Sequence, residues 1–162
     1  MATPEFILQL RRSIGHAPLW LMGATVVCLR DGERGPEVLL ERRADNGLWA
    51  TISGIVEPGE HPTDCLVREA MEEVGAEVEV GRMLWCAVTE PKTYANGDRT
   101  QYLDHGYLGR VVGGTLRPDG DETTDVGWFP VDRLPEPQHP RLGVAVRIAQ
   151  DAPGDVVASL EP

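Results

Sequence analysis

The chain has 162 residues, of which 41% are hydrophobic and 25% are charged, a composition typical of a globular protein with a packed core. We therefore expect a single domain over residues 1–162. The formal net charge of −11 argues against a nucleic-acid polymer as partner, because phosphate backbones are bound through basic surfaces.

Location and redox state are predicted from what the sequence lacks. No apolar run is long enough to span a bilayer, and the first residues lack the pattern of a secretory signal. We therefore expect a cytoplasmic protein with no membrane partner. Cys28, Cys65 and Cys86 are odd in number and widely spaced, which favours reduced core thiols over a disulfide framework or a zinc site.

The first half of the chain predicts a helix, a hairpin and a second helix. Phe6, Leu10 and Ile14 share one face of a short amphipathic helix over about residues 4–15. The apolar runs "LMGATVVCLR" and "PEVLLERR" flank "DGERG" and indicate a β-hairpin, which the irregular stretch "ADNGLWATISG" follows. Pro62 suits the first turn of a helix and Gly75 suits the position just beyond its end.

The second half predicts strands and a terminal helix. "AEVEVGRMLWCAVTEP" alternates as a strand does, and the Asn96-Gly97 pair is a strong turn signal between two further strands. "GGTLRPDGDETTD" is a polar loop, "VGWFPVDRLP" a short strand, and "HPRLGVAVRIAQ" a terminal helix. A tail follows over about residues 151–162. The order predicts an α+β domain with a central helix after a sheet and another helix at the end.

The predicted central helix carries three crowded glutamates. Its apolar arc comprises Leu66, Val67, Ala70, Met71 and Val74. Glu69, Glu72 and Glu73 occupy the opposite arc, and such spacing costs a few tenths of a kcal/mol per like-charged pair. A solvated acidic face is the simplest interpretation. A divalent cation is the alternative, because carboxylate oxygens suit Mg²⁺ or Mn²⁺ and would convert the repulsion into coordination.

The surrounding spacing resembles the signature of a known enzyme family. Gly54, Glu60 and "REAMEEVGA" match Gly-x5-Glu-x7-Arg-Glu-U-x-Glu-Glu-x-Gly-U, the signature of Nudix hydrolases, where U is aliphatic. "VLLERR", "GLW" and "WFP" are also similar to the family, so the resemblance covers most of residues 20–150, although "SGI" departs from the more usual Pro-Gly-Gly. The resemblance implies an α/β/α sandwich with a mixed sheet and a catalytic loop-helix-loop.

The resemblance also implies roles for individual residues. The metal-binding and catalytic glutamates of the family correspond to Glu69, Glu72 and Glu73, and the carbonyl before the signature glycine, here Ser53, often completes the metal shell. The remaining signature positions imply supporting roles for Gly54, Glu60 and Arg68. We expect Arg68 to pair with Glu60 or Glu72 and so to orient the carboxylates.

The implied chemistry is hydrolysis of a nucleoside diphosphate linked to another moiety X, such as ADP-ribose or a nucleotide sugar, with Mg²⁺ or with Mn²⁺ as a substitute. Some family members take the general base from a distant loop. In "PDGDETTD" we choose Glu122 over Asp119, Asp121 and Asp125, with a surface acidic loop as the alternative. Two other functions stay open: a sanitising nucleoside triphosphate pyrophosphohydrolase and a non-catalytic nucleotide sensor.

The substrate is less constrained than the reaction. Pro91 and Tyr94 satisfy family markers for two different substrate classes, ADP-ribose and diadenosine polyphosphates, so neither marker decides. Tyr94, Tyr102 and Arg99 are candidate substrate-binding residues, and aromatic rings can stack on a base. A homodimer is also expected, because the apolar face of the first helix needs a covering surface and the family commonly dimerises.

Overall fold

Three helices and eight strands make up residues 3–151 and 154–160, the part of the chain that the computed structural model describes. The helices are α1 (Glu5–Ile14), α2 (Pro62–Val74) and α3 (Leu142–Gln150). The strands are β1 (Leu19–Gly32), β2 (Gly35–Arg43), β3 (Trp49–Ala50), β4 (Ile52–Ile55), β5 (Ala76–Val88), β6 (Lys92–Thr93), β7 (Arg99–Gly114) and β8 (Thr123–Pro130).

The strands form one mixed sheet, as the sequence predicts. The central order is β3-β2-β1-β7-β5, with β4 paired to β1, β6 to β7 and β8 to β2. The β1–β7 pairing is parallel and the other pairings of the described strands are antiparallel. The predicted β1–β2 hairpin is confirmed, and the Asn96-Gly97 turn joins β6 to β7, with Gly97 at a φ of +88° that favours glycine.

Helices cover both faces of the sheet, which confirms the α/β/α sandwich. Alternate residues of a strand point to opposite faces. Leu39 therefore packs in the cluster that includes α2, whereas Val38 and Leu40 pack in the cluster that includes α3. The buried α3 residues of the second cluster are Leu142, Ala145, Val146 and Ala149.

Helix α2 begins at Pro62 and ends at Val74, where the sequence places it. Gly75 adopts the left-handed conformation (φ +66°) and its N–H donates to the Met71 carbonyl at 3.2 Å, closing the helix. The predicted apolar arc is only partly correct. Leu66, Ala70 and Val74 are fully buried, but Val67 and Met71 are 45% and 46% exposed. The helix is rotated so that part of its acidic arc turns toward the protein interior.

Helix α1 has the predicted extent but a different buried face. Ile7, which lies outside the predicted face, is 5% exposed and packs on Leu21 and Ile55. Of the predicted apolar face, Phe6 packs partly against the same cluster, whereas Leu10 and Ile14 are 42% and 40% exposed. The helix makes its contact through the Ile7 side because Leu21 of β1 and Ile55 of β4 lie beneath it.

Two segments are more ordered than the sequence suggests. The stretch predicted to be irregular contains β3 and β4. In the tail, the Val157 N–H donates to the Leu84 carbonyl and the Val157 carbonyl accepts from Cys86 N–H, at 3.0 and 3.1 Å. Residues 152–153 and 161–162 of the predicted tail lie outside the described residues. No described helix is long and apolar enough to cross a membrane.

The three cysteines are free thiols in the structure. Cys28 and Cys65 are buried, and burial raises the pKa of each to about 12. The prediction of reduced core thiols is therefore consistent with their environment.

Candidate metal and substrate site

Strand β4 presses directly against the glutamate side of α2. A Cβ placed on Gly54 would lie 2.5 Å from both Cγ and Oε1 of Glu69. No side chain fits in that space, so glycine at this position lets the backbone of Ser53 and Gly54 approach the Glu69 carboxylate. This close approach gives the signature glycine a physical reason.

Arg68 bonds to three of the predicted site glutamates. Its Nε and Nη2 donate to the two carboxylate oxygens of Glu60 at 2.9 and 3.2 Å, a bidentate pair. Its Nη1 donates to Glu69 at 2.8 Å and to Glu72 at 3.3 Å. The Arg68 guanidinium lowers the pKa of Glu60, while the surrounding carboxylates raise that of Arg68, so Arg68 stays charged.

The acidic arc of α2 opens into a small pocket of about 260 Å³. Acidic side chains dominate its lining: Glu57, Glu69, Glu72, Glu73, Asp119 and Glu122. Glu69 and Glu73 are only 4% and 2% exposed, so these two do not form a solvated face, whereas Glu72 is exposed. Burial raises the pKa of both carboxyls, Glu41 and Glu69 raise that of Glu73 further, and Arg68 opposes the rise at Glu69.

The loop before β8 brings Glu122 to this pocket. The Asp119 carboxylate accepts three backbone N–H bonds, from Asp121, Glu122 and Thr123, at 3.1, 3.1 and 2.8 Å. Although partial burial opposes ionisation, these donors lower the pKa of Asp119. The Asp119 N–H in turn donates to the Glu73 carbonyl at 3.1 Å. Asp119 therefore organises the loop, and Glu122 lines the acidic pocket together with the predicted glutamates.

The two other acidic candidates of this segment lie elsewhere. Neither Asp121 nor Asp125 lines the acidic pocket. Asp125 belongs to β8, where it stands opposite Arg42, and its Oδ1 accepts from the N–H of Val126 at 2.9 Å. The choice of Glu122 over these residues agrees with their positions, while its role as a base stays a prediction.

Sequence reasoning missed one glutamate, Glu41 of β2. It is 1% exposed, and its Oε2 accepts a hydrogen bond from Thr123 Oγ1 at 3.1 Å. Its carboxyl group faces that of Glu73, and burial raises the pKa of both. The signal was present in "VLLERR": Leu39 and Glu41 are two residues apart, so they point to the same buried face.

The donor set fits a hard divalent cation. Every acidic group in the pocket offers oxygen, which suits Mg²⁺ or Mn²⁺, and Gly54, the residue after Ser53, packs against Glu69. In the described part of the chain no three acidic, histidine or cysteine side chains already converge closely enough to hold an ion. Arg68 now neutralises Glu69 and Glu72. A bound cation would therefore have to draw these carboxylates together.

Gly54 also lines a second, larger cavity of about 860 Å³. Ser53 and Gly54 line it, and so do Tyr94 and Tyr102, whose hydroxyl oxygens lie 3.1 Å apart. Pockets of about 300–1,000 Å³ hold small-molecule ligands and cofactors. Arg99 does not line this cavity, because its Nε donates to the His16 carbonyl at 3.3 Å. The prediction that Arg99 contacts substrate is therefore not supported by its position.

The floor of the cavity is a buried polar cluster around Asp104. Its Oδ1 accepts from Thr25 Oγ1 at 3.0 Å and its Oδ2 from Trp85 Nε1 at 2.9 Å, and Arg141 lies 3.7 Å away. His139 also lines the cavity, and burial with the nearby Arg141 lowers its pKa to about 4. The cavity thus offers a neutral imidazole, cationic groups and two tyrosines to a ligand.

Comparison with known proteins gives consistent results. The family model for the NUDIX domain matches residues 20–147. An NAD-capped RNA hydrolase NudC from Pseudomonas fluorescens is 38% identical over 108 residues, which cover 63% of this chain and 35% of the relative. The chain thus spans about a third of the length of these curated relatives.

Solved structures share the fold. A MutT NUDIX hydrolase from Burkholderia pseudomallei superimposes with a TM-score of 0.61 at 25% identity, covering 80% of this chain and 97% of the other. An ADP-ribose pyrophosphatase from Streptococcus suis superimposes with a TM-score of 0.62 at 23% identity, covering 85% and 96%. Together with the match of the family model to most of the chain, the signature and its geometry lead to one conclusion: the chain belongs to the Nudix hydrolase family.

Proposed function

We propose that the protein is a Mg²⁺-dependent hydrolase of the pyrophosphate bond in a nucleoside diphosphate linked to a moiety X. The observation that carries the proposal is the adjacency of two spaces. Ser53 and Gly54 line a cavity that suits a nucleotide, and Gly54 packs against Glu69 of the acidic pocket, which suits a hard cation. A substrate with two parts and a central pyrophosphate matches this layout.

Glu69, Glu72, Glu73 and the Ser53 carbonyl are the groups that would hold the metal. A bound divalent cation supplies neutralisation of the pyrophosphate charge, which otherwise repels a nucleophile. Mn²⁺ offers the same octahedral oxygen chemistry and would substitute. Arg68 and Glu60 support these carboxylates, since their bidentate pair fixes the guanidinium that contacts Glu69.

The side chains of the protein supply the remaining steps. A water oxygen attacks one phosphorus, the bond from that phosphorus to the bridging oxygen breaks, and the bridging oxygen leaves on the second phosphate. Glu122 takes the proton of the attacking water, a step that contributes about 10²–10⁴-fold to such rates. Tyr94 and Tyr102 bind the nucleoside or X within the cavity.

Free nucleotide derivatives are the substrate class that we favour. The curated relatives are named NAD-capped RNA hydrolases, and NAD itself is a nucleoside diphosphate linked to a second nucleoside. The net charge of −11 disfavours an extended contact with a polymer backbone. We therefore propose NAD-like or ADP-ribose-like compounds as substrates, with the cytoplasm as the location.

A second candidate is the hydrolysis of free nucleoside triphosphates. A triphosphate chain also presents a pyrophosphate bond to the acidic pocket, so the pocket and the cavity suit this substrate class as well. The sensor alternative is less economical, because a protein that only binds nucleotide has no need of three glutamates that repel one another.

Product analysis separates these functions. The panel contains ADP-ribose, NAD, a UDP-sugar, the common and oxidised nucleoside triphosphates, and a short NAD-capped RNA, each with Mg²⁺. We expect nucleoside monophosphate plus phosphorylated X from the first three. Monophosphate plus pyrophosphate from triphosphates alone would establish the second candidate. Hydrolysis of capped RNA alone would show that the substrate is the polymer. No product from any compound would favour the sensor.

A further inference from the structure

Glu41 is a carboxylate in a position that a hydrophobic residue should occupy. It lies on the face of β2 that also presents Leu39 to the core, and it is 1% exposed. Burying a carboxylate costs free energy unless it is paired or hydrogen-bonded. Within residues 3–151 and 154–160, no lysine, arginine or histidine forms an ion pair with Glu41. No ion pair among the described residues therefore offsets the free-energy cost of burying Glu41.

The two carboxylate oxygens of Glu41 have different surroundings. Its Oε2 is fixed by Thr123 Oγ1 at 3.1 Å. Its Oε1 is buried and has no hydrogen-bond donor among the described residues, and the Glu73 carboxyl group is its neighbour. Two ionised carboxylates have no donor to share, so this contact is repulsive unless one of them carries a proton. Glu41 therefore faces Glu73 with its carboxyl group, while Thr123 holds its Oε2 and Arg43 is a nearby cation.

Thr123 connects Glu41 to the loop that carries Glu122. It is 1% exposed, begins β8, and follows directly after Glu122. Its N–H is held by the Asp119 carboxylate at 2.8 Å, in the loop that also bonds to the Glu73 carbonyl. The Glu73 side chain thus faces the region where β2 and β8 pair.

A purely structural role explains these contacts poorly. Replacing buried charged groups by apolar residues of similar size is often neutral or stabilising. Thr123 alone needs only a small acceptor, which a threonine or an asparagine on β2 would supply. The contact between the Glu41 and Glu73 carboxyl groups is better explained by an effect of Glu41 on Glu73.

We propose that Glu41, anchored by Thr123, is a positioning residue that holds the Glu73 carboxylate in the orientation required for the divalent cation. The inference rests on the proposed function, because it takes Glu73 as a metal-binding group. Glu41 acts from behind: it blocks the direction away from the acidic pocket, so the Glu73 carboxylate is directed toward Glu69. Residues that orient metal-binding side chains typically change metal affinity by about 10–100-fold when they are replaced.

The test is calorimetric titration of the metal-free protein with Mn²⁺, without substrate, so that it does not depend on turnover. Glu41→Leu removes the polar contact, and we expect Mn²⁺ affinity to fall at least about tenfold. Glu41→Gln keeps the shape, accepts from Thr123 and can donate its amide N–H to Glu73, so we expect affinity within about threefold of wild type. Glu79→Gln is the matched control, because Glu79 is an exposed glutamate of β5 bonded to Arg110.

A double-mutant cycle decides whether Glu41 acts through Glu73. In the Glu73→Gln background, Glu41→Leu should cause no further loss of Mn²⁺ affinity, whereas an additive loss would overturn the proposal. Wild-type affinity in Glu41→Leu, or an equal loss in the Gln and Leu variants, would also overturn it. If Glu41→Leu does not fold, Thr123→Val removes the anchor with little change of shape, and unchanged affinity there would count equally against us.

The outcomes separate this inference from the proposed function. A wild-type protein that binds Mn²⁺, together with unaffected Glu41 variants, overturns the positioning role alone. A wild-type protein that binds neither Mn²⁺ nor Mg²⁺ overturns both.

Discussion

Under the proposed function, stability and metal binding oppose each other at Glu73. It is 2% exposed and lies beside Glu41 and Glu69, and burial followed by these charges raises its pKa. A buried carboxylate among carboxylates destabilises the metal-free fold, whereas the same arrangement is an advantage once a cation binds. A metal-binding role would explain why the sequence contains buried carboxylates that destabilise the metal-free fold.

Replacing Glu73 by glutamine tests this opposition. Glu73→Gln keeps the size and helix propensity of the side chain, so the metal-free variant should melt at the wild-type temperature or above it. Turnover should fall by about 10²-fold or more, the scale of one lost charge-stabilising group. Glu79→Gln serves as the surface control. A Glu73→Gln protein that melts normally and turns over at the wild-type rate would remove Glu73 from the site.

His139 provides a pH-dependent test at the same scale. Burial, with Arg141 and Arg43 nearby, lowers its pKa from the model-peptide value of 6.5 to about 4, and its Nδ1 accepts from Arg141 N–H at 3.3 Å. As the pH falls from about 6.5 to about 4, the unfolded chain takes up a proton that the folded protein does not, so this contribution to stability is lost.

We therefore expect the free energy of unfolding to fall with pH more steeply in wild type than in His139→Asn, whose Oδ1 can accept the same hydrogen bond. Urea denaturation of both proteins at pH 7 and pH 4.5 measures the difference. An equal decrease in the two proteins would show that His139 titrates normally in the fold.

At the scale of elements, the loop between β7 and β8 is held by one carboxylate. Asp119→Ala removes the acceptor of three N–H groups and should release Glu122 from the acidic pocket. We expect the catalytic rate to fall about as far as in Glu122→Gln, while Mg²⁺ affinity changes much less, because Glu69, Glu72 and Glu73 lie on α2. Steady-state kinetics and metal titration of both variants make the comparison. If Glu122→Gln is slow but Asp119→Ala is unaffected, the hydrogen bonds of Asp119 are not needed to position Glu122.

Sequence patterns predicted the elements better than their orientation. Pro62 and Gly75 mark both ends of α2 because local backbone chemistry determines where a helix begins and ends. The periodicity of α1 indicated one apolar face but not that Ile7 is its buried residue, because periodicity within ten residues admits two neighbouring faces. The underlying residues Leu21 and Ile55 decide between these faces, and no local pattern contains them.

The site was predictable where its residues are close in sequence. Gly54, Glu60 and the α2 glutamates fall within one motif, and the structure gathers them together with Arg68. Glu41 and Thr123 are 82 residues apart, and only the β2–β8 pairing brings them together. Such contacts depend on the strand order of the whole sheet, which no spacing within the sequence specifies.

At the scale of the whole molecule, we predict a homodimer. Leu8, Leu10 and Ile14 of α1 are 40–42% exposed, so an apolar strip remains after the helix has packed. Sedimentation velocity at micromolar concentration should show a species of twice 17.7 kDa, and Leu10→Glu should shift it toward the monomer. A single 17.7 kDa species in wild type would contradict this prediction.

The metal requirement is the most direct test of the whole account. The measurement is the rate of monophosphate release from the best substrate of the panel, before and after exhaustive treatment with a chelator, and again after Mg²⁺ is added back. Because the metal supplies several kcal/mol of charge stabilisation, we predict at least about a 100-fold loss on its removal and full recovery with Mg²⁺. Full turnover by metal-free protein would contradict the assignment of Glu69, Glu72 and Glu73 to a catalytic metal site.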